Sequence, residues 1–150
     1  ETWNDERLST ADKQYLIQRL ETPTPRIELA QKLKGFSSAA IDISDGLSSD
    51  LAHILKKSGV GASLDLTKLP LSSALQKIDS KQAHDFAFNS GDDYELCFII
   101  PAVKQAAFES TMTEAYTQIG IIEAEAGLKV IGSNGQQQTV TGSGYDHFSA

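Results

Sequence analysis

One cysteine in 150 residues excludes a disulfide framework and any metal site built from cysteine thiolates. That residue, Cys97, sits in the apolar run "YELCFII", and its isolation points to a reducing compartment, with the cytoplasm as the expected location. Long hydrophobic runs are missing too. No stretch approaches the roughly 18 apolar residues that would span a bilayer, and no basic segment leads into an apolar one as in a signal peptide. Positive charge is in deficit, with 13 Lys and Arg against 20 Asp and Glu and a net charge of -7. This balance argues against nonspecific binding to nucleic acid or to an anionic membrane. A phosphate ligand would need something cationic to offset the field, and metal ions are the obvious candidates. The chain also lacks a glycine-rich phosphate loop followed by Lys-Ser/Thr, a protein-kinase catalytic loop and a paired-histidine motif. An initiator methionine is absent as well, so the sequence reads as a piece of a longer protein.

What is present fits one domain over residues 1–150. Ser9 or Thr10 can cap a helix carrying Tyr15, Leu16 and Leu20, which Pro23 and Pro25 end. A short helix through Ile27, Leu29, Ala30 and Leu33 stops at Gly35, and "FSSAAIDIS" reads as a strand. Leu47, Leu51, Ile54 and Leu55 then form a helical stripe that Gly59 terminates after Lys56 and Lys57. "VGASLDL" and "YELCFIIP" predict strands, "SSALQKI" and "SKQAHDFAF" helical pieces, and "AVKQAAFESTMTEAY" a helix. "TQIGIIEAE" and "GLKVIGS" predict two final strands, joined by short turns and so antiparallel, and Asn134-Gly135 signals a hairpin. The order predicts an α/β (α+β) fold with a mixed, largely antiparallel sheet flanked by helices.

The chemistry-bearing residues cluster in two motifs. In "AIDISDG", strand alternation turns Asp42 and Ser44 to one face and Ile41 and Ile43 to the other. Asp45 falls where strand meets helix, and Gly46 lets the backbone bend there. Two carboxylates and a hydroxyl thus converge, a hard-oxygen set suited to Mg²⁺. Asp45 can equally serve as the N-cap of the helix. Asp50 and His53, further along, read as solvated or helix-packing side chains. In "NSGDDYEL", Asp92 and Asp93 repel each other unless a cation, donors or solvent relieve them, and Glu95 enters an apolar strand where it needs a donor. In the tail "GSGYDHF", Tyr145 can stack on a flat heterocycle or, with Phe148, tack the chain end onto the body.

Taken in order and spacing, "PTPRIELAQKL", "AIDISDGLSSDLAHILKKSGVGASLDLTKLPLS", "NSGDDYELCFIIP" and "GYDHF" resemble the C-terminal domain of the thiamine-monophosphate kinase family, within the aminoimidazole ribonucleotide synthetase-like superfamily. The resemblance implies transfer of the γ-phosphoryl of ATP to thiamine monophosphate, with Mg²⁺, giving thiamine diphosphate. By position it makes Asp42 and Asp45 metal ligands, Ser44 an ATP contact, and Asp92 and Tyr145 substrate-binding residues; no residue is assigned as catalytic. The acid at position 92 is often glutamate in the family, so Asp92 reaches one methylene less far. The resemblance also implies an N-terminal ATP-binding domain and a homodimer in the parent enzyme, so that this domain is expected to be inactive alone. A superfamily member acting on another phosphate or amide substrate is the nearest enzymatic rival, and a non-catalytic module with structural acids is the other.

Overall fold

The computed structural model describes residues 5–132 and 135–140. Helix α1 (Thr10–Glu21) begins with a capping box: the Ser9 hydroxyl accepts the Asp12 N–H while the Asp12 carboxylate takes the Ser9 N–H. After the prolines come α2 (Ile27–Lys32) and strand β1 (Ala39–Asp42). Helix α3 (Leu47–Ser58) follows, then β2 (Gly61–Asp65), two single 3₁₀ turns at Leu66–Lys68 and Leu75–Lys77, and α4 (Ser80–Asn89). Strand β3 (Leu96–Ile99) leads through Pro101 into α5 (Ala102–Thr111), and β4 (Gly120–Glu123), β5 (Gly127–Ile131) and β6 (Gln137–Val140) complete the order.

The strands form two sheets among the described residues. β1 pairs antiparallel with β3, Ile41 opposite Cys97 and Asp42 opposite Leu96. The second sheet runs β4-β2-β5-β6, with β2 antiparallel to β4, parallel to β5, and β5 antiparallel to β6. The mixed α/β architecture agrees with the sequence reading, and β4 and β5 run antiparallel as expected, but they are not neighbours in the sheet. The chain does reverse between them, yet it straddles β2, which pairs with both. Gly61 makes the crossing possible: a Cβ there would lie 2.0 Å from the Glu125 carbonyl oxygen and 2.6 Å from that of Gly127.

Three apolar clusters hold these layers. The main core joins Leu47, Leu51 and Leu55 of α3 to Ala62 and Leu64 of β2, Phe88 of α4, and Leu128 and Val130 of β5. Cys97 and Ile99 pack against it from one face of β3, while Leu96 and Phe98 pack from the other onto Leu29, Leu33 and Phe108. Strand β3 is therefore packed on both faces, which is why it reads as a continuous apolar run. α5 stops at Thr111 rather than running to Tyr116. The hydroxyls of Ser110 and Thr111 both donate to the Ala107 carbonyl, a local bond that competes with the helix, and Tyr116 returns to set its ring 4.8 Å from Phe108.

Candidate functional site

The backbone ladder between β1 and β3 does not end with the strands. Ile43 N–H donates to the Glu95 carbonyl, Tyr94 N–H to that of Ile43, and Asp92 N–H to that of Ser44, each at 2.9 Å. These bonds bring the two acidic motifs into one place: Asp42, Ser44 and Asp45 on one loop, Asp92 on the other. The loops approach so closely that a Cβ on Gly91 would lie 2.3 Å from the Ser44 carbonyl oxygen. Gly46 takes φ 107°, the freedom the strand-to-helix elbow needs. Asp92 and Tyr94 hold left-handed backbones at φ 63° and 52°, uncommon for residues with a Cβ, and the Tyr94 hydroxyl reaches Asp92 Oδ1 at 3.4 Å.

Asp42 is exposed while Ile41 and Ile43 are partly buried, as alternation predicts. Asp45 is half-buried and accepts from the Ser44 hydroxyl at 3.4 Å, but it does not cap α3. Gly46 holds the cap position, with no side chain bonding to the helix. Asp50 does the work at this elbow instead. It is 3% exposed, and its Oδ2 accepts the N–H groups of both Ser44 and Asp45 at 3.0 Å. Of the two expected readings of Asp50, solvated or helix-packing, the solvated one is thus overturned: the residue flanks the Leu stripe, three positions after Leu47, and the fold supplies two backbone amides for its carboxylate. His53 is exposed, as expected. Tyr145 lies outside the described residues, as do His147, Phe148 and Asn134.

Glu95 finds its donors at the surface. Arg26 grips it with two nitrogens, Nε at 2.8 Å from Oε2, and Arg19 adds a third contact at 3.1 Å, so Arg26 is held more firmly protonated than usual by its hydrogen bond to Glu95. Next to it, the Asp93 carboxyl is raised to about 6. Desolvation of the carboxyl is the main cause, although the residue as a whole is exposed; the charges of Glu95 and then Asp92 add to the shift, and Arg19 opposes it. Burial, with Asp50 nearby, lifts the Cys97 thiol to about 11, which leaves it protonated near neutral pH and unsuited to nucleophilic chemistry. A groove of about 1620 Å³ passes Arg19, Arg26, Asp93 and Glu95, but Asp42, Ser44, Asp45 and Asp92 are not in its wall.

Among the described residues, no three His, Cys, Asp or Glu side chains converge to hold a metal ion. The Asp42 and Asp45 carboxylates and the Ser44 hydroxyl are hard oxygen donors, too few to fill a cation's coordination by themselves. That suits Mg²⁺, which commonly takes one or two protein carboxylates and fills its remaining positions with water and substrate phosphate oxygens.

The model of the AIR synthase-related protein C-terminal domain matches residues 2–133. The chain belongs to this family. It is 44% identical over 143 residues to the thiamine-monophosphate kinase of Salmonella typhimurium, covering 92% of this chain and 44% of that one, and 45% identical over 145 residues to the Haemophilus influenzae enzyme, with the same shares. Among solved structures, AaThiL complexed with AMPPCP and TMP superposes with a TM-score of 0.76 at 32% identity, covering 93% of this chain and 43% of that one. The family member here thus spans somewhat less than half the length of these kinases. No helix among its described residues is long and apolar enough to cross a membrane.

Proposed function

We propose that this chain is the C-terminal domain of a cytoplasmic thiamine-monophosphate kinase, whose parent enzyme uses ATP to convert thiamine monophosphate to thiamine diphosphate. The observation that carries the reading is the backbone clasp that joins the Asp42–Gly46 loop to the Gly91–Glu95 loop, in a chain 44% identical to such a kinase. One loop offers hard oxygen ligands and the other an exposed acid, and this is the division of labour that a phosphate-to-phosphate transfer needs.

Both reactants are anionic, so positioning and charge neutralisation are most of what the protein must provide. Asp42 and Asp45 would hold Mg²⁺, which supplies the positive charge that lets two phosphates approach. Ser44 would steady ATP beside them, and Asp92 would orient thiamine monophosphate, whose ring system Tyr145 would stack against. An N-terminal domain of the parent would supply the remaining ligands and nucleotide contacts, and two copies would pair as a homodimer.

In the full-length parent, Asp42→Asn should lower turnover by about two orders of magnitude or more, with the thermal midpoint unchanged. The measurement is steady-state kinetics at saturating Mg²⁺. Turnover near the wild-type value under that condition removes Asp42 from the metal site.

A further inference from the structure

We propose that Asp50 is a positioning residue for the proposed phosphoryl-transfer site, holding the Ser44–Asp45 backbone from behind so that Asp42, Ser44 and Asp45 keep a common geometry. The inference rests on the kinase reading above and adds to it a residue that the motif itself does not mark.

The elbow between β1 and α3 leaves a specific gap in the hydrogen bonding. Ile43 N–H and the carbonyls of Ile43 and Ser44 are taken by the neighbouring loop, but the N–H groups of Ser44 and Asp45 face away from it. Neither has a strand partner, and neither belongs to the helix, whose first intrahelical bond runs from the Asp50 N–H to the Gly46 carbonyl at 2.9 Å. Asp50 closes the gap. Its backbone fixes Gly46 and its carboxylate fixes Ser44 and Asp45, so a single residue sets three consecutive positions of the motif. A buried carboxylate is costly unless donors satisfy it, and two backbone amides meet that need. Both amides converge on the single oxygen Oδ2, so the Asp50 carboxylate ties the two residues of the loop together. A one-residue change in the loop's path would redirect the Asp45 side chain, and misplacement of this order is enough to disable a site that works by positioning.

Two substitutions in the full-length parent separate this role from others. Asp50→Asn keeps an oxygen that can accept both amides. Asp50→Leu keeps the branched shape, with somewhat more bulk, and removes the acceptor. The Asn variant should retain kcat within about tenfold, while the Leu variant should lose about a hundredfold in kcat with KM for thiamine monophosphate little changed. The Leu variant should also need about tenfold more Mg²⁺ for half-maximal rate. Hydrogen exchange followed by mass spectrometry should quicken in the Leu variant at the peptide containing Ser44 and Asp45, with β2 and β5 still protected. Unchanged exchange at that peptide, or wild-type kinetics of a folded Leu variant, overturns the proposal. So does an Asn variant as inactive as Asp42→Asn, and this arm decides the matter if the Leu variant fails to fold. A wild-type parent without kinase activity would defeat the functional reading alone, since the exchange measurement still decides whether Asp50 holds the loop.

Discussion

Asp93 is an acid whose charge the fold resists. Its carboxyl is raised from 3.8 to about 6, by desolvation first and by Glu95 next. The folded protein therefore binds this proton more tightly than the unfolded chain does. The resulting contribution to stability is fully present below about pH 3.8 and is lost as pH rises through about 6. Asp93→Asn removes that dependence. In urea titrations, the midpoint of the wild type should fall relative to that of the Asn variant between those limits and stay parallel outside them. A difference independent of pH would show that the environment of Asp93 does not act this way. Asp5 and Asp12, lowered to about 2 chiefly by hydrogen bonds to Arg7 and Lys77, work in the opposite sense at lower pH and cancel in the comparison. Single residues were read from the sequence with uneven success. Asp42 was legible because a charge between two isoleucines must face outward. Asp50 was not, because it lies at the flank of the Leu47–Leu51 stripe, where helical spacing is compatible with either solvent or interior. Asp45 misled as a cap, since an Asp-Gly pair looks the same whether the aspartate or the glycine takes the cap position.

Among the elements, α3 was the most readable and carries the most. Its Leu47, Leu51 and Leu55 are all 4% exposed or less, and they seat the helix on β2 and β5 while its first turn presents Asp50 to the loop. Leu51→Ala should cost about 2–5 kcal/mol, the usual range for emptying a packed leucine site. Equilibrium urea denaturation checks it, and a loss well below 1 kcal/mol would mean that the core closes around the gap. The hairpin of β5 and β6 was equally legible, its strands antiparallel as the turn signal implied. Helix α5 was read too long because "STMT" lies in a pattern that remains apolar at helical spacing. Periodicity cannot see the hydroxyls that end the helix by bonding back to Ala107.

At the scale of the whole molecule, the order of strands escaped sequence reasoning altogether. Hydrophobic patterns show which residues are buried, but not which earlier strand lies between two later ones, and β2 is set between β4 and β5 by pairings between residues far apart in the sequence, such as Gly61 with Glu123 and Gly127. The two acidic motifs, by contrast, announce themselves locally and need only one ladder to meet. The straddling turn over Gly61 bears on how the protein is made. During synthesis, β2 emerges with both edges bare and stays so until β4 and β5 follow, a state prone to pairing with other chains. A chain ending at residue 118 should accordingly sediment after release from the ribosome, whereas one carrying residues 1–150 should stay in the supernatant. Recovery of the shorter chain in the supernatant would contradict this. The domain is thus closed by its last strands, and its sheet has a direction in time as well as in space.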